Sequence, residues 1–154
     1  GESVPQLRFK GFDGEWEKNK IINISKVFGV GVDKKINENE IKGNLVNFVD
    51  VFKNTILNNN FKFNDVSFTK EEYEKYRVLK GDILLTPSSE DKVDIGLTSL
   101  INIDNTNNLV YSYHLNLIRF NPLNIYPMFV SFLFRTKEIK NIFLEFHKEL
   151  QDTH

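Results

Sequence analysis

Apolar residues fall into short runs over the first four-fifths of the chain and into a helical spacing over the last. Residues 21–24 (Ile-Ile-Asn-Ile) and 27–32 (Val-Phe-Gly-Val-Gly-Val) are brief and β-branched, which predicts strands and turns rather than helix. Residues 33–42 are polar without apolar periodicity and predict a solvated loop. Residues 45–51 (Leu-Val-Asn-Phe-Val-Asp-Val) alternate as a half-buried strand does, and the Asn-rich stretch 54–60 after them predicts a loop. Thr69-Lys70-Glu71-Glu72 has the spacing of a capping box, in which the Thr hydroxyl and the Glu carboxylate each satisfy an open amide, so a short helix through Tyr76 is expected.

Gly81-Asp82 predicts a turn into an apolar strand, residues 83–86, which ends at Pro87 because proline cannot donate to a ladder. Residues 88–94 predict a polar loop. Strands are expected over 95–103 and 114–120, separated by the turn-rich residues 104–108. Pro127 suits a helix start, with Met128, Phe129, Phe132 and Leu133 at helical spacing, and Ile139, Ile142, Phe143 and Phe146 repeat that spacing. Strands followed by two C-terminal helices predict an α+β fold on a mixed, curved β-sheet.

Composition bounds this picture. At 154 residues, with 40% apolar and 27% charged positions, the chain can bury one sizeable core, and residues 1–154 are read as one domain. The absence of cysteine excludes disulfides and thiolate metal sites, and no zinc site or other cofactor is expected. No apolar stretch is long enough for a membrane span and the first residues lack the order of a signal peptide, so a cytoplasmic protein without membrane partners is expected. The net charge of −1 argues against strong nucleic-acid binding by this chain alone, since phosphate neutralisation supplies most non-specific affinity. Asn at 19 positions is what an A·T-rich genome would produce without any function.

Three patterns invite a chemical reading. Phe28-Gly29-Val30-Gly31 has the start of a cofactor-binding glycine turn but lacks its third glycine and following helix, so a glycine-kinked strand is expected. Asp82 with Glu90 and Lys92 offers the acids and lysine of a small Mg²⁺-dependent nuclease, although Glu90 and Lys92 fall in a predicted loop rather than on a rigid strand. His114, His147 and His154 are too scattered to predict a metal cluster. For base readout, loops carrying amides, hydroxyls and lysines are the candidates: Lys34 and Lys35; Asn58, Asn59 and Asn60; Ser88, Ser89 and Lys92; and Tyr111, Tyr113 and His114. Each group also fits an ordinary solvated loop, and a protein-interaction module without a DNA role is the remaining alternative.

Val4-Pro5-Gln6-Leu7-Arg8-Phe9-Lys10-Gly11-Phe12-Asp13-Gly14-Glu15-Trp16-Glu17 resembles the opening of type I restriction-modification specificity subunits. Lys80-Gly81-Asp82 with the apolar strand behind it, Ile95-Gly96, the strand 114–119, Asn121-Pro122 and the helix 127–134 follow in that family's order. The resemblance implies a target recognition domain whose variable loops read one half of a split double-stranded DNA site. It implies no catalytic residue here: methyltransferase subunits and a translocating restriction subunit would be partners that supply the chemistry. No long spacer helix or second recognition domain follows residue 154, so the expectation is the first recognition domain of a longer polypeptide.

Overall fold

The strand that stops before Pro87 is the centre of the molecule. The computed structural model describes residues 15, 19–87, 96–121 and 125–142. Eight strands are described: β1 (Ser25–Phe28), β2 (Ile41–Val46), β3 (Ile56–Asn58), β4 (Asn64–Phe68), β5 (Ile83–Leu85), β6 (Thr98–Asn102), β7 (Leu109–Tyr111) and β8 (Asn116–Phe120). They form a larger sheet in the order β1-β8-β5-β6-β3 and a smaller one in the order β4-β2-β7. In the larger sheet β5 is antiparallel to both β8 and β6, and β3 joins β6 in parallel. In the smaller, β2 is antiparallel to β4 and parallel to β7.

Strand alternation sorts the side chains into layers. Leu84, Ile101 and Leu117 of the larger sheet meet Val46, Leu109 and Tyr111 of the smaller in one buried cluster, so the main core lies between the sheets. Their strand neighbours Ile83, Leu85, Leu100, Ile118 and Phe120 point the other way, where Phe134 and Val130 of α4 (Pro127–Phe134) cover them. Leu45, Val66, Phe68 and Val110 occupy the far face of the smaller sheet, against Tyr73 and Tyr76 of α3 (Lys70–Tyr76). The order helix, sheet, sheet, helix makes the fold α+β with two mixed sheets, and residues 137–142 are helical as a second C-terminal helix.

Several expectations hold at residue level. Thr69 Oγ1 accepts from the Glu72 amide at 3.1 Å and the Glu72 carboxylate accepts from the Thr69 amide at 2.8 Å, which is the capping box at the start of α3. Gly81 turns the chain with φ of +90°, a conformation that costs a residue without Cβ least. Pro127 opens α4.

Others are corrected. Residues 21–24 are one helical turn, α1 (Ile21–Ile24), closed by the Ser25 hydroxyl donating to the Ile21 carbonyl at 2.7 Å; Ile24 packs on the α4-side core, and that contact outweighs β-branched propensity. The alternating run 45–51 is split. β2 ends at Val46, and α2 (Phe48–Lys53) begins because the Asp50 carboxylate accepts from the Asn47 amide at 2.8 Å. Within the expected loop 54–60, Leu57 is fully buried and anchors β3 beside β6. β7 was not expected, and the strand placed at 114–120 starts at Asn116, with Tyr113 and His114 in a turn before it.

Candidate nucleic-acid interface

Residues 33–42 were expected to be a solvated loop, but their first residues are tied down on either side of Lys34. The Val32 amide donates to the Tyr111 carbonyl at 2.8 Å, and the Lys35 carbonyl accepts from the Ser67 amide at 2.9 Å. Gly31 permits the first contact: a Cβ there would lie 2.0 Å from the Tyr111 carbonyl oxygen. The glycine pair is therefore close packing between backbones. The Gly29 carbonyl accepts from the Tyr111 hydroxyl at 3.0 Å, the chain continues into a bridge at Val32 rather than a helix, and no phosphate-binding turn is formed.

These anchors divide the sequence candidates. Lys34 is exposed on the tied segment, whereas Lys35 Nζ lies 3.3 Å from both the Glu40 and Glu72 carboxylates and clamps the segment to α3. Tyr111 is fully buried, its hydroxyl held far up its titration range by burial, so this candidate belongs to the core and offers DNA no surface. Tyr113 is 44% exposed and its ring lies over His114, with centroids 3.7 Å apart. Asn58 Oδ1 accepts from the Asn60 amide at 3.0 Å, closing a turn. Asn59 is bracketed to Asp104 by its Nδ2 donating at 2.7 Å and its Oδ1 accepting from the Asp104 amide at 2.8 Å. The side chains of Asn58 and Asn59 are thus engaged in shaping their loop, which leaves the exposed Asn60 as its outward amide. Ser88, Ser89 and Lys92 lie outside the described residues, as do His147 and His154.

Asp82, the acid of the nuclease pattern, is buried and bound. Arg119 donates to it from Nε at 2.8 Å and from a terminal nitrogen at 2.7 Å, and the Leu79 amide adds a third bond at 2.7 Å. Burial pushes the carboxyl up, and Arg119 and the Leu79 amide draw it back in part. With both oxygens so engaged, Asp82 is a structural counter-ion rather than an open metal ligand, and Glu90 lies outside the described residues. Among the described residues no group of three or more His, Asp or Glu side chains is arranged to hold a metal ion.

Lys34 and His114 converge on an open cleft of about 320 Å³, which also brings in Asn47, Asn64 and Ser112. Phe48, Val49 and Asp50 of α2 complete its wall. The cleft forms where the parallel strands β2 and β7 end and β4, on the other side of β2, begins, so four chain segments, that of Lys34 included, deliver polar side chains to one place. Asn47 Nδ2 donates to Asn64 Oδ1 at 2.8 Å. Asp50 is partly buried; desolvation raises its pKa, while the Asn47 amide and the charge of Lys34 oppose the rise. One lysine, one carboxylate, two amides, a hydroxyl and an imidazole make a nearly neutral cleft rich in donors and acceptors. Such a cleft suits the edges of bases better than phosphates, which need unpaired cations. Asn47, Asn64 and Ser112 were not foreseen, because strand register brings them together and no local motif marks them.

No known protein family's sequence pattern matches the chain, and no curated protein matches it. Among solved structures, the chain is similar to the HsdS subunit from Thermoanaerobacter tengcongensis, with a TM-score of 0.50 and 10% identity over 95% of this chain. The chain spans 40% of the length of that subunit. At this identity the likeness is one of fold, and the chain has the fold of that part of an HsdS subunit.

Proposed function

We propose that this chain is a target recognition domain that reads one half of a split double-stranded DNA site in the cytoplasm, and that partner methyltransferase and restriction subunits do the chemistry there. HsdS is the specificity subunit of type I restriction-modification systems, and the shared fold over 95% of this chain is the observation that carries the reading. The near-neutral cleft is consistent with it, because base edges are read by amides, hydroxyls and apolar contacts. The net charge of −1 fits a reader that relies on the rest of a complex for phosphate contacts.

The same charge favours one other reading, a protein-interaction module. A single experiment separates the two. The chain is placed in a longer specificity subunit, assembled with methyltransferase subunits, and methylated adenines are mapped before and after residues 4–150 are exchanged for a relative's. A change in one half of the methylated motif supports DNA reading. An unchanged motif with intact assembly supports the interaction module and refutes the proposal.

A further inference from the structure

Resting on that DNA-reading role, we infer that the cleft between α2 and the start of β4 reads a single A·T pair from the major groove, with Asn64 on adenine and Val49 on the thymine methyl. The first ground is the orientation of the Asn64 amide. Asn47 Nδ2 donates to Asn64 Oδ1 at 2.8 Å, which fixes the oxygen end of that amide toward Asn47. An amide oxygen has two lone pairs, so one remains, and among the described residues the Asn64 NH₂ group makes no bond. The exposed face of Asn64 therefore offers an acceptor and a donor side by side, which matches the N6 donor and N7 acceptor of adenine. Guanine presents two acceptors there and would set its O6 against the amide oxygen. Flipping the amide would only move its oxygen from guanine O6 to guanine N7, also an acceptor, and would turn the NH₂ onto the Asn47 NH₂.

The second ground is Val49, which is 51% exposed although it sits on the wall of the same cleft. Of the four bases only thymine carries a methyl group in the major groove, on the partner strand of the adenine that Asn64 would bond. An amide with an apolar neighbour thus matches an A·T pair and no G·C pair. Asn47 acts here as a positioning residue, held in turn by its backbone amide on Asp50.

The test uses the whole chain at low salt, where weak binding is strongest. A pool of random duplexes is selected to obtain a motif, and affinities are then measured for every single-base-pair change in it. At one A·T position the wild-type chain should discriminate by about 5- to 150-fold, the range of a bidentate contact. Asn64→Ala should abolish discrimination at that position alone. Asn47→Ala should weaken it there by releasing the amide. Replacing that thymine by uracil, which removes only the methyl, should lower wild-type affinity by about threefold to fourfold and leave Val49→Ala unaffected. Asn64→Asp keeps the acceptor for Asn47 and loses the donor to adenine N7, so it should lose the adenine preference even if the alanine variant does not fold. A selected motif whose discrimination survives both Asn64 variants, or falls equally at all positions, overturns the inference and leaves the DNA-reading role standing. If the folded chain alone selects no motif, as its net charge of −1 allows, Asn64→Asp is placed in the assembled complex and methylated sites are mapped; an unchanged base preference there overturns the inference and leaves the DNA-reading role standing.

Discussion

Removing either partner of the Asp82–Arg119 pair should cost a large part of the stability of this chain. Asp82 is 1% exposed and receives three bonds, two from Arg119 and one from the Leu79 amide. Arg119 also donates to the Arg77 carbonyl at 3.0 Å and lies 5.4 Å from the centre of the Phe28 ring, so the pair joins β8, β1 and the turn into β5. Breaking a buried pair by deleting one partner typically costs about 3–5 kcal/mol, because the other is left desolvated and unmatched. Asp82→Ala should fall near the lower end, since the Arg119 side chain is 27% exposed and can recover some hydration. Arg119→Met should fall near the upper end, because it strands a carboxylate whose side chain is only 2% exposed. For a chain of this length those losses correspond to a melting-temperature drop of roughly 6–20 °C. Urea unfolding of both single variants and the double variant would give the coupling directly, expected to exceed about 2 kcal/mol. Single losses below about 1 kcal/mol, or a coupling below about 0.5 kcal/mol, would refute the assignment of the pair as the bolt of the larger sheet.

Three further outcomes follow from the same contacts. Gly31→Ala and Gly43→Ala should each destabilise by about 1–3 kcal/mol or more in urea titrations, because the new Cβ would lie 2.0 Å from the Tyr111 carbonyl oxygen and 2.2 Å from that of Asn108. The Glu40 carboxyl is held below its ordinary value of 4.5, first by the Ser67 hydroxyl and then by Lys35. Its contribution is present above the unfolded-state pKa and is lost as pH falls through the lower folded value, so a pH series of melting curves should show less acid-induced loss below about pH 4.5 in Glu40→Gln than in wild type. Asn59→Ala should lower the urea midpoint by releasing Asp104 while leaving any selected DNA motif unchanged, and a changed motif would return that asparagine to the reading surface.

The parts of this fold that were legible in the sequence are those specified within a few residues. Thr69 and Glu72 cap a helix by reaching over three positions, Gly81 turns the chain by its own backbone freedom, and Pro127 is already shaped for a first helical turn. The resemblance at the N-terminal block supplied a fold expectation that those local signals could not, although that block lies almost entirely outside the described residues. Misreadings came where two periods fit one run. Residues 45–51 satisfy strand alternation, yet Asn47 and Asp50 are also spaced to start a helix, and the helix forms because it turns Val51 into the core while leaving Val49 and Phe52 exposed.

The site was harder to read because its side chains are related by pairing between strands. Asn64 is 17 residues from Asn47, and they meet only because Leu45 stands opposite Asn64 in the antiparallel register of β2 and β4. A one-residue slip of that register would turn the side chains of β4 to the opposite face, moving Val66 and Phe68 out of the core together with Asn64 from the cleft. The buried face of β4 thus fixes where Asn64 points. The side chains that set this register are accordingly apolar and internal. A scan for polar loops finds asparagines in abundance here, but separating a turn-closing amide such as Asn58 from an oriented outward one such as Asn64 requires knowing which strand lies beside it.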